Sequence, residues 1–85
     1  MILEYFAVFY PYELGVGYTV EFPDLPGCVT QGESFEEALA MAKDAASGWV
    51  SSSVEDGEDI PLASNNISLT QFKGAVSIHK ISVHI

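Results

Sequence analysis

Four carboxylates fall where acid chemistry could be organised: Glu4, Glu21, Asp24 and Glu37. Each lies near a predicted strand end or helix start. A two-metal phosphodiester-cleaving centre needs several such groups converging on ions roughly 3.5–4 Å apart. Glu21 falls by strand parity on the sheet face away from the helix, and Glu37 is explained by helix capping. His79 and His84 are the only histidines, and parity puts them on opposite faces of one strand, so they do not chelate one ion together unless a bulge intervenes. Cys28 is the single cysteine, so no internal disulfide is available. No basic group near it in sequence would activate the thiol, and it reads as a small buried hydrophobe. Gly15 and Gly17 belong to a hairpin turn rather than to a phosphate-cradling strand-to-helix loop. We therefore expect no catalytic residue, no metal and no cofactor.

These residues hang on one ordered stretch, from Tyr18 to Ala38. Tyr18, Val20 and Phe22 alternate with Thr19 and Glu21, the period of a half-buried strand. Pro23 stops that ladder because it has no N–H to donate. Asp24-Leu25-Pro26-Gly27 makes a corner in which Gly27 is free to take positive φ. Cys28 to Gln31 forms a short third strand at the sheet edge. Ser34 caps a helix, with Glu37 reaching back as a capping box. The corner has two readings. It re-aims the chain between two strands, or it holds Leu25 between rigid prolines as an exposed anchor, pre-ordered at little entropic cost. On the second reading Phe22, Asp24, Leu25 and Pro26, with Glu36 on the helix start, form a partner-binding surface.

Charge narrows the classes of partner. The chain has 85 residues and a net charge of −9, with twelve acidic residues, three lysines and no arginine. Residues 1–59 hold all twelve acids and Lys43, a net of −11, and residues 60–85 hold Lys73 and Lys80, a net of +2. Such a surface repels nucleic acid, whose binding rests on Lys and Arg at phosphates. It attracts a basic protein, or it simply serves solubility. Hydrophobic residues make up 48%, the composition of a globular domain rather than a disordered chain. No apolar run approaches the roughly 20 residues of a membrane helix, and the first residues carry no basic-then-apolar signal pattern. A cytoplasmic location is expected.

The remaining elements follow from periodicity. Ile2 to Tyr10 reads as a central strand, paired with the next through a turn at Pro11 to Gly17. A helix from about Phe35 to Val54 carries an apolar stripe, and we expect it to dock through Phe35, Leu39, Ala42, Ala46 and Trp49. Gly48 and Ser51-Ser52-Ser53 should fray its end. Ile67 and Leu69 suggest another short strand. In the final strand Val76 and Ile78 share one parity, whereas Ile81, Val83 and Ile85 share the other. A bulge near His79-Lys80 would reconcile them, as would burial of the second face by a neighbouring chain. The fold class is α+β, β-β-β-α-β, with one helix on one sheet face. A right-handed crossover would set the last strand parallel to the first, in sheet order 3-2-1-4. The last strand is then an edge, and pairing of two copies through it would make a homodimer or higher homo-oligomer.

The run Tyr-x-Val-x-Phe-Pro-Asp-Leu-Pro-Gly-Cys from Tyr18, then Thr-x-Gly-x-Ser-x-Glu-Glu-Ala from Thr30, resembles the HicB family of antitoxins. An alanine-rich helix with Trp49 near its end, an acidic turn and Ile60-Pro61 continue the likeness over roughly the first sixty residues. The resemblance implies a partial RNase H-like fold. It also implies a partner, a small basic HicA-like toxin that cleaves mRNA, neutralised by occlusion of its active site. Such antitoxins repress their own operon through a C-terminal DNA-binding element. Residues 1–85 end at the last strand of the N-terminal domain, so a single domain without that element, and no direct DNA binding, is expected. The alternative is a free-standing oligomeric domain that binds a ligand or regulates another protein.

Overall fold

The computed structural model describes residues 2–84. Strands β1 (Ile2–Pro11), β2 (Tyr18–Glu21) and β3 (Val29–Gly32) precede helix α1 (Phe35–Glu55) and the last strand β4 (Ser77–His84). The sheet order is β3-β2-β1-β4, as expected, and every neighbouring pair is antiparallel. The predicted parallel placement of the last strand is therefore wrong. A direct helix-to-strand connection would have set β4 parallel to β1. Instead residues 56–76 run back before β4 starts, so β4 enters from the opposite end of the sheet. Four bonds tie that return segment down. Tyr5 Oη–H donates to the Pro61 carbonyl at 2.7 Å. Ser64 donates twice to Asp24, and Val76 N–H donates to the Phe9 carbonyl at 2.9 Å. The short strand expected at Ile67 and Leu69 is a single 3₁₀ turn, Leu69–Gln71, within this segment.

The helix is capped at both ends as its sequence dictates. Glu37 N–H donates to Ser34 Oγ at 3.0 Å. The Glu37 carboxylate accepts from Glu33 N–H, one residue ahead of the usual capping-box donor. At the far end Glu58 N–H reaches the Ser53 carbonyl and Gly57 N–H the Val54 carbonyl, a Schellman closure with Gly57 at φ +70°. Gly48 and the serines do not fray it, because Val50 and Ser53 within that stretch are buried. The docking face is turned from the expected one. Ala38, Ala42, Ala46, Val50 and Ser53 are buried, whereas Leu39 and Trp49 are only half-buried and Phe35 is 37% exposed. Small side chains form the floor so that the helix can lie close. At its start a Cβ on Gly32 would run into the backbone of Ala38.

Tyr5, Ala7 and Phe9 of β1, Val20 of β2, and Ile81 and Val83 of β4 meet the helix in one core. The β1–β4 ladder runs unbroken from Ile2↔His84 to Phe9↔Ser77, so the expected bulge at His79-Lys80 is not there. The change of parity has another cause. Ile81 and Val83 face the helix, whereas Ile78 pairs with Val8 on the other face, where Val8 is also fully buried.

Candidate interaction surface

The corner between β2 and β3 is two interlocked turns. Leu25 N–H donates to the Phe22 carbonyl at 3.1 Å, and Cys28 N–H to the Leu25 carbonyl at 2.9 Å. Each turn has proline at its second position, the site that a fixed φ favours. The second turn has Gly27 at φ +80°, the left-handed conformation that its third position demands. Leu25 ends one turn and begins the next, which drives its side chain inward. It is completely buried, and Phe22 is 3% exposed. Phe22 and Leu25 are therefore core, which leaves the corner its role of re-aiming the chain and removes the reading of Leu25 as an exposed anchor. Asp24 is also committed, since its carboxylate accepts Ser64 N–H at 2.7 Å and Ser64 Oγ–H at 2.8 Å. Of the five partner-binding candidates, Pro26 and Glu36 remain exposed. The Pro26 carbonyl accepts the Trp49 indole N–H at 2.9 Å, which pins the corner to the helix.

The final strand requires a similar correction. Ile81 and Val83, proposed for a self-association surface, lie in the core under the helix. Ile78 is half-buried, Val76 is half-exposed, and Ile85 falls outside the described residues.

The carboxylates do not assemble a catalytic centre. Glu21 faces away from the helix and accepts the Tyr10 hydroxyl at 2.7 Å. Burial, then this bond to Glu21, pushes the Tyr10 phenol up to about 12. Glu37 serves the helix start, and Asp24 holds Ser64. Among the described residues no three His, Cys, Asp or Glu side chains stand together as a metal site. Cys28 is buried, and burial raises its thiol pKa, the opposite of activation. His79 faces the helix, packed between the Phe9 and Phe35 rings with centroids 5.0 Å from each. His84 lies on the other face.

A further feature escaped the sequence reading. An open groove of about 630 Å³ runs between the start of β3 and the outer side of α1. Gly27 and Val29 form one wall, Trp49 and the helix the other, and Asp44, Asp56 and Glu58 line it. The signal was present. Asp44, Gly48, Ser52 and Asp56 recur every four residues, a small-residue face with an acid at each end.

Comparison with known proteins bears on this arrangement. Residues 5–82 match the family described as HicB-like antitoxin of bacterial toxin-antitoxin system. Antitoxin HicB 1 of Photorhabdus laumondii is 52% identical over 52 residues, covering 61% of this chain and 33% of that protein. The chain thus aligns with about a third of the curated relative's length. The N-terminal domain of the Burkholderia pseudomallei antitoxin HicB superposes with a TM-score of 0.80 at 26% identity, covering 98% of this chain and 100% of that one. A chain of a toxin-antitoxin complex from Streptococcus pneumoniae superposes with a TM-score of 0.79 at 30% identity, covering 99% and 70%.

Proposed function

This chain belongs to the HicB-like antitoxin family of bacterial toxin–antitoxin systems, and from that premise we propose that it binds a HicA-like mRNA-cleaving toxin and covers the toxin's active site. As a member of an antitoxin family it is a non-enzymatic binding protein. The observation that carries the proposal is the family match over residues 5–82. The likeness to a chain of a solved toxin–antitoxin complex supports it. The charge is in keeping with it, since a net of −9 suits a basic RNA-binding partner and opposes binding to RNA itself. The protein would act in the bacterial cytoplasm, where that toxin meets its mRNA.

Co-expression tests this. Where a HicA-like toxin gene adjoins this chain's gene, that toxin gene, induced alone, should arrest growth and degrade mRNA. Induced together with residues 1–85, it should do neither, and the two proteins should co-purify. Continued arrest with both proteins present and soluble would refute the proposal and favour a free-standing ligand-binding domain.

A further inference from the structure

We propose that the free edge of β3 and the acidic groove beside it form one docking surface, which takes an extended, lysine- or arginine-bearing segment of a protein partner as an added strand. The segment's owner, on the reading above, is the toxin, and in that respect the inference rests on that reading.

The backbone comes first. β3 is the outer strand on its side of the sheet, paired with β2 alone. Phe22 N–H bonds the Cys28 carbonyl at 3.1 Å, and these two residues lie on the same register as Glu21↔Val29 and Val20↔Thr30. Antiparallel ladders alternate bonded and non-bonded pairs. Thr30 and Gly32 therefore bond inward to β2, and Val29 and Gln31 turn their N–H and C=O groups to the free edge. Both residues are exposed, and no lysine, proline or bulge shields that edge. Sheet edges left this way accept another strand.

The groove then specifies which strand. A segment laid along β3 sends every second side chain toward the helix side of the sheet, into the groove, and the others to the opposite face. On the groove side it meets Asp44, Asp56 and Glu58, with no basic residue in the lining. None of these three carboxylates takes part in a side-chain hydrogen bond among the described residues, whereas Glu21, Asp24 and Glu37 all do. The absence of bulk at Gly48, where a Cβ would meet open space, leaves room for a long side chain. A cationic residue at alternate positions fits both constraints, and an acidic one is repelled.

The test uses the 85-residue chain and two synthetic octapeptides, one alternating lysine with valine and the other glutamate with valine. The lysine peptide should shift the amide resonances of Val29–Gly32, Asp44, Ser52 and Asp56 and protect the Val29 and Gln31 amides from exchange. The glutamate peptide should do neither. Gln31→Pro removes an outward donor without touching the ladder to β2, and Asp44→Lys with Asp56→Lys reverses the groove. Each should weaken the lysine peptide and the toxin at least about tenfold, with an intact folded amide spectrum, whereas Glu4→Lys, an acid outside the groove, should change both by less than about twofold. Shifts mapping to β4, or wild-type affinity in both variants, would overturn the inference. A wild-type chain that binds the lysine peptide at β3 and ignores the toxin would uphold the surface and sink the toxin reading. A chain that binds the toxin equally with or without the substitutions would do the reverse.

Discussion

Leu25 shows how a single side chain changes meaning with its surroundings. Two successive proline turns aim it into the core, where it is completely buried. Leu25→Ala should cost about 2–5 kcal/mol in denaturant unfolding. Half-buried Leu39 should cost clearly less on the same substitution, and equal losses would contradict the helix orientation described here. Gly32 is a steric requirement and not a conformational one. A Cβ there would lie 2.6 Å from Ala38 Cα, so Gly32→Ala should lower stability by about 1–3 kcal/mol or more, measured by urea midpoint. Tyr10 gives a pH signature. Its phenol titrates at about 12 in the folded chain against an ordinary 10.0, because it is desolvated and bonded to Glu21. The stability it contributes is fully present below pH 10 and is lost as pH rises toward 12. Tyr10→Phe should remove that part of the alkaline decline, and a variant that loses stability between pH 10 and about 12 just as the wild type does would refute it.

The helix is held by its ends and its small-residue floor, with Phe35, Leu39 and Trp49 packed at the margins of the core. Ser34 and the Schellman turn at Gly57 satisfy backbone groups that would otherwise be orphaned. The alanine floor brings α1 close to β3, and this closeness leaves the groove on the outer side. Gly48 faces open space within a regular helix. Gly48→Ala should therefore stabilise the protein by about 0.5–1 kcal/mol, seen as a raised melting temperature. A loss of stability would mean that the helix is not regular there.

For the molecule as a unit, the two sheet edges differ in character. β3 borders the acidic groove. β4 follows half-exposed Val76 and carries half-buried Ile78, and its Lys80 ammonium sits 5.4 Å from the centre of the Phe6 ring. Ile81 and Val83 belong to the core, so any pairing of copies through β4 rests on backbone groups with Ile78 and Val76. We expect a dimer by light scattering at about 100 μM chain. A clean monomer at that concentration would rule out β4 as a self-pairing edge.

Local pattern was sufficient for the four strands of the sheet and the helix, though not for the 3₁₀ turn at Leu69–Gln71, because periodicity, proline and capping act between near neighbours. The alternation at Tyr18–Phe22, the cap at Ser34 and the 3-2-1-4 order could all be read from the chain. The motif from Tyr18 to Ala38 also pointed to the family that the comparisons support. The direction of β4, the turn of the helix and the fate of the corner could not be read this way. The direction of β4 depended on the path of residues 56–76, a segment with no period, fixed by long-range bonds to Tyr5, Asp24 and Phe9. The helix face depended on which side chains were small enough to sit on Gly32 and the sheet, and size in the pattern of a stripe does not reveal contact distance. Leu25 turned inward because two turns share it, and the groove arose from a helix and a strand edge meeting. Each of these is a relation between distant parts of the chain, settled by packing in three dimensions.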